Sequence, residues 1–333
     1  MKLRIILTLA CALAFSCVAA SAQDNKAKPA ADAKVSSGER DMAQKIEKAQ
    51  GPEAKLQAAA AFVKKYPTST MRPKVAQYVA GEIANAQDTQ LKISLAQAYL
   101  DIFNQPEEAS LVNDALLNAY INAGQADEAF KMGAARLAKN PEDLDLLRAL
   151  AIVASNETIK GNNAFAAQGM QYGAKAIELI EADKRPANVE EAKWASYKAE
   201  ALPNLYRATG IIAYKTNDTN AAIARLEKAV ALNLKDPGVY LVLSELTYND
   251  YDRLTKEYNV ASDAEKPAAL ARAQAGLDKV IESYAAAVAM TEGNAQYQQA
   301  HDALMGDLTK YYKFRHNNSD AGLQQLIDKY KKP

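Results

Sequence analysis

The chain has 333 residues, 24% of them charged, and its 40 basic residues are matched by 40 acidic ones. That balance argues against nucleic acid or an anionic membrane surface as the main partner. Alanine is abundant, β-branched runs are few, and only 14 glycines and 11 prolines occur, so helix is expected nearly throughout.

The first 22 residues, MKLRIILTLACALAFSCVAASA, place Lys2 and Arg4 before an apolar stretch from Ile5 to Val18. A small-residue cleavage site, Ala20-Ser21-Ala22, follows. This is the pattern of a secretory leader (residues 1–22), expected to be removed after Ala22. The apolar run is short for a spanning anchor. The mature chain is therefore expected in the periplasm or outside the cell, and association with the outer membrane stays open. Lipoprotein anchoring through Cys17 ranks second, because Phe15 stands where such a signal usually has a small or branched residue. Both cysteines, Cys11 and Cys17, lie in the leader, so neither disulfide nor thiol chemistry is expected after cleavage. Residues 23–36 are small, polar and charged and read as a flexible linker. Residues 37–333 read as one helical domain. No segment after the leader is apolar enough to cross a membrane.

Helices are expected at 38–49, 53–65, 72–86 and 89–104, punctuated by Gly51-Pro52, Tyr66-Pro67 and Asn104-Gln105-Pro106. Residues 110–143 then read as two amphipathic helices and a turn. The first buries Leu111, Ala115, Leu116, Ala119 and Tyr120 at helical spacing. Gly124 ends it, and Asp127 and Glu128 open the second, which runs to Lys139. Asn140-Pro141 stops that helix and is expected to cap the next, with Asn140 as N-cap. This stretch resembles the tetratricopeptide repeat, whose period is about 34 residues. The resemblance rests on Tyr120, Gly124, Ala129 and Pro141, with departures at Asn113, Leu117 and Arg136. A second match lies at 203–236, on Tyr206, Gly210, Ala222, Leu226 and Ala229, with its proline late at Pro237. Small residues at these positions let helix backbones approach closely. The string AFVKKYPTST at 61–70 is similar to helix ends in tetratricopeptide-like proteins of the bacterial envelope, and LIDKYKKP at 326–333 is a related ending.

Further helices are expected at 142–155 and 164–183, with SNETIKGNN at 155–163 as a loop. Residues 187–217 are one long helix, or two kinked at Pro203, and 219–233 follows. Pro237 opens another helix, with Tyr240, Leu243 and Ser244 on family positions. Its continuation, 248–266, departs from the pattern. Helices at 265–291, 294–316 and 319–331 end the chain, the last as a cap. The resemblance implies an all-α fold, a right-handed superhelical solenoid of antiparallel helix hairpins with irregular repeats.

Chemistry is sparse. No GxSxG, Walker A loop, GxGxxG or HExxH occurs, and no catalytic residue, metal site or cofactor is expected. His301 and His316 lack partners at metal-ligand spacing and read as surface or cap residues. Asn249-Asp250-Tyr251-Asp252 lacks the glycine and distal glutamate of a calcium loop and reads as a solvated helix face or polar turn. Carboxylates have basic neighbours on their own helices and read as solvated faces. In Lys310–Arg315, the aromatics are expected in the core and the bases at a helix end. Tyr78, Tyr99 and Tyr120 are expected between helices.

The resemblance maps a concave, partner-facing surface onto particular first-helix residues. These are Asp114, Asn118 and Asn122; then Arg148 and Asn156; then Arg207, Tyr214 and Lys215; then Glu245, Tyr248 and Asn249. It implies a non-enzymatic scaffold binding a protein or peptide along that surface. The alternative is a small-molecule or glycan-binding protein, with 155–163 and 248–262 forming a pocket.

Overall fold

The computed structural model describes residues 35–331. The expected leader and most of the linker lie outside the described residues. Among those described, the chain forms fourteen α-helices and one 3₁₀ turn, with no strand. They group into two compact units, 35–141 and 142–331. The chain passes from one to the other just after the Asn140-Pro141 helix stop.

In the first unit, α1 (Ser37–Lys48) opens on a capping box: the Glu39 N–H donates to Ser36 Oγ, and the Ser36 N–H to Glu39 Oε2. α2 (Gly51–Lys65) and α3 (Arg72–Ala84) carry proline in their first turns, where its missing N–H costs nothing. α4 (Thr89–Ile102) is capped by Asp88, whose Oδ1 accepts from the Leu91 N–H at 2.7 Å. α5 (Pro106–Ala123) ends at Gly124, whose φ of 66° is open to glycine, and α6 (Ala126–Leu137) follows. Successive helices pack in pairs, and α2 also meets α4 as α3 meets α5. Phe62, Ile83, Tyr99 and Phe103 are fully buried between them.

The core of α5 sits one position round from the expected stripe. Val112, Leu116, Leu117, Ala119 and Tyr120 are buried, whereas Leu111 is 41% exposed. Tyr99 and Tyr120 pack inside as expected, but Tyr78 lies at the surface with Lys55 over its ring. Glu108 breaks the solvated-face rule. It is buried and takes two hydrogen bonds from Arg72, Nε to Oε1 at 2.6 Å and Nη2 to Oε2 at 2.9 Å. Arg72 also donates to the Ile102 carbonyl and lies over the Phe103 ring. The partners are 36 residues apart, so no local charge pattern announces them.

In the second unit, α7 (Leu144–Ile159) is capped by Asp143, whose Oδ1 accepts from the Leu146 N–H. Asn140 is not the cap. The helix then runs through half of the expected loop. Ser155, Glu157 and Thr158 are buried, and Thr158 Oγ1 donates back to the Ala154 and Ser155 carbonyls. Local hydrogen bonding thus satisfies Thr158, and Lys160 and Asn162 donate to Glu157, whereas the buried Ser155 hydroxyl finds no partner among the described residues. α8 (Ala166–Glu181) packs on α7, and both pack on α9 (Glu191–Lys215). α9 passes through Pro203 as one helix; burial of Ala201, Leu205, Ala208 and Ile211 outweighs the lost backbone bond. α10 (Thr219–Ala231), α11 (Pro237–Val260) and α12 (Lys266–Thr291) follow. The continuation of α11 past Tyr248 is helix to its end. A 3₁₀ turn (Ala295–Tyr297), α13 (Gln298–Arg315) and α14 (Leu323–Lys331) complete the unit, the last two both packed on α12.

Glycines set the closeness of three crossings. A Cβ on Gly169 would collide with Ala154, one on Gly173 with Thr209, and one on Gly210 would lie 2.6 Å from Leu226 Cδ2. The small-residue expectation at Gly210, Ala222 and Ala229 is met, with both alanines fully buried.

These contacts set the expected stability of variants at three sites. Glu108→Ala leaves a buried guanidinium unpaired and should cost about 3–5 kcal/mol in a urea melt, whereas joint replacement by Arg72→Met and Glu108→Leu should restore most of it. Gly169→Ala should cost about 1–3 kcal/mol by overpacking. Gly81→Ala, in a helix with open space around the new methyl, should add about 0.5–1 kcal/mol.

Candidate functional site

Within the 142–331 unit, α9, α11, α12 and α13 bring a group of tyrosines to one face. On α11, Glu245, Tyr248 and Asn249 fall at i, i+3 and i+4, and all three are exposed. The Tyr214 hydroxyl, near the end of α9, donates to Glu245 Oε2 at 2.7 Å, and Lys215 Nζ lies over the Tyr214 ring, 5.4 Å from its centroid. Five of the expected partner-facing residues thus share this face: Tyr214, Lys215, Glu245, Tyr248 and Asn249.

Tyr311 of α13 is the hub. Its ring centroid lies 6.4 Å from Tyr248, 6.2 Å from Tyr251 and 6.0 Å from Tyr284. The last two contacts are edge-on, at 75° and 72°. Such geometry sets the positive edge of one ring toward the negative face of another. Tyr284 is buried among Leu277, Val280, Ile281 and Leu308, so the group has a fixed floor. Tyr248 is 38% exposed and forms its rim. Thr247 and Ser283 hydroxyls, 2.6 Å apart, tie α11 to α12 one position along. Phe314, three residues beyond Tyr311 on α13, is 78% exposed. The expectation that this segment's aromatics enter the core holds for Tyr312 and fails for Phe314. Burial first, then the neighbouring Tyr248 and Asp307, push the Tyr311 phenol up to about 12. Burial raises Tyr214 and Tyr284 as well.

The other expected site residues lie elsewhere. Arg207 is only 7% exposed, and its Nε donates to Asp236 at 2.6 Å. Asp236 also accepts from the Gly238 N–H as the N-cap of α11, so Arg207 joins α9 to that cap and does not face solvent. Arg148 lies half-buried over the Tyr197 ring, 3.6 Å from Glu200. Asn156 is half-buried within α7. Asp114, Asn118 and Asn122 form an exposed stripe on α5 in the other unit, where Asp114 pairs with Arg136.

From the sequence, Tyr311 and Phe314 are expected in the core and Tyr251 on a solvated face or polar turn, and nothing marks Tyr284 or Asp307. Tyr248 and Tyr251, three apart, hint at one tyrosine-bearing helix face, but the hub lies sixty residues on, and only tertiary packing joins them. Among the described residues, no group of three His, Cys, Asp or Glu could hold a metal ion, and no helix is long and apolar enough to cross a membrane. His316 caps α13, stacked on Tyr312, while His301 is half-buried beside Thr291. No protein-family model matches the chain, and comparison with curated proteins finds no match.

The pH dependence follows from Tyr311. A phenol whose pKa is raised on folding favours the folded state while neutral. That contribution is complete below its ordinary value of 10 and is lost as pH rises through about 12. In Tyr311→Phe, the loss of stability across that window should be shallower, and an absorbance titration should show one late tyrosinate fewer.

Proposed function

We propose that this chain is an exported, non-enzymatic scaffold of the tetratricopeptide kind, binding a partner protein or peptide in the periplasm or at the outer membrane. The leader-like first 22 residues support export. The packing of helices on the next and next-but-one, at crossings made close by glycine and alanine, supports a right-handed array of hairpins. The observation that carries the binding role is the tyrosine group around Tyr311, rimmed by exposed Tyr248 and Phe314. Tyrosine offers large contact area with few rotatable bonds and recurs at interface hot spots. The small-molecule or glycan reading draws on a loop at 155–163 and an irregular stretch at 248–262. The first is helix as far as Ile159, and the second as far as Val260.

A photoreactive amino acid at position 249, in the whole chain in its own cell envelope, tests this. It should capture a discrete protein, and Tyr248→Ala should reduce that capture at least tenfold, as removal of a hot spot does. A probe at exposed Lys228, outside the face, should not capture it. Equal capture from both positions, or from the Tyr248→Ala chain, would overturn the assignment.

A further inference from the structure

We propose that the Tyr248–Tyr251–Tyr311 face takes a lysine or arginine side chain of the partner, held against the tyrosine rings and the Glu245 carboxylate. This rests on the partner-binding reading and names the chemistry of the partner's anchor.

The charge pattern favours a cation. Asp250, Asp252 and Asp307, which flank the rings, are each paired on their own helices with Arg253, Lys256 and Lys310. Glu245 accepts from the neutral Tyr214 hydroxyl, and among the described residues it makes no ion pair. Its charge therefore stands uncompensated at the edge of the ring group. The charged side chains that act on Tyr284 and Tyr311 are carboxylates, Asp307 on both and Glu245 on Tyr284. At Tyr197 and Tyr206, by contrast, Arg148 and Arg225 act in the opposite sense.

The rings add to this field. The face of an aromatic ring is negative and attracts ammonium or guanidinium groups within about 6 Å. Elsewhere the chain uses that attraction repeatedly: Lys55 lies over Tyr78, Arg148 over Tyr197, and Lys215 over Tyr214. Among the described residues no cation lies over Tyr248, Tyr251, Tyr284 or Tyr311. Lys215 thus shows, one ring away, the contact that a partner's cation would make with Tyr248 and Tyr311. An apolar anchor would leave the Glu245 carboxylate facing it without a countercharge, which burial penalises.

The test uses the whole chain with its tyrosines carbon-13 labelled, titrated with (Gly-Ser-Lys)4, (Gly-Ser-Leu)4 and (Gly-Ser-Glu)4 peptides. The lysine peptide should shift the Tyr248 and Tyr311 ring signals saturably, and the other two should not. Glu245→Gln keeps an acceptor for Tyr214 and removes only the charge; it should weaken the lysine peptide about 5-fold, consistent with a charge contact at a partly exposed site. Tyr248→Leu should weaken it similarly, and Tyr248→Phe, which keeps a ring, much less. A leucine peptide that binds as well, or a lysine peptide indifferent to Glu245→Gln, would overturn the inference. If position 249 captures its partner while the lysine peptide leaves the rings unmoved, the partner reading stands and the cation falls. If the lysine peptide binds and position 249 captures nothing, the cation stands and the scaffold reading falls.

Discussion

The second unit depends on helices coming closer than ordinary side chains permit. At Gly169, Gly173 and Gly210 even a methyl group would strike Ala154, Thr209 or Leu226. Interaxial distance sets how completely two apolar stripes exclude water, and packing density sets how much dispersion they gain. These crossings are therefore where α7, α8, α9 and α10 become a single core. No helix here is apolar enough to stand alone, and most of the helical stability must come from its neighbours. The tyrosine face inherits that order. Tyr214 is held at the end of α9, and the rings of α11, α12 and α13 are fixed by the same successive stacking.

The first unit shows a different solution. Its glycine at 81 meets nothing, and a buried Arg72–Glu108 pair ties α3 to the first turn of α5. A negative side chain in that turn also suits the helix dipole. The geometry is bidentate; Nη2 donates to the Ile102 carbonyl as well, and Nη1 to the Pro67 carbonyl. Such a pair contributes less to net stability than a well-packed apolar pair would. It fixes which helices meet, because any other register leaves a charge buried alone.

Much of the helical layout was legible from spacing, prolines and caps. Gly124 does close α5, Pro237 does open α11, and Ala222 and Ala229 do mark a crossing. What was not legible came from contacts between residues far apart in sequence. SNETI has the composition of a loop, yet burial against neighbouring helices keeps it helical. Leu111 is as apolar as Leu116, and only the rotation of α5 against its partners sends it to the surface. Arg207 looked like a groove residue because its partner, Asp236, lies 29 residues away. The tyrosine face was half visible: the repeat resemblance maps Glu245, Tyr248 and Asn249 to one surface, while Tyr311 joins them only through the fold.

The central physical claim is that buried surface is shared between successive helices and owned by none of them. Hydrogen exchange of the whole chain carrying Gly173→Val tests it most directly, because that valine wedges α8 away from α9. The account predicts faster exchange in α7 and α9 as well as in α8, and a smaller acceleration in α10, which packs on α9. Acceleration confined to α8, with its neighbours as protected as before, would contradict it.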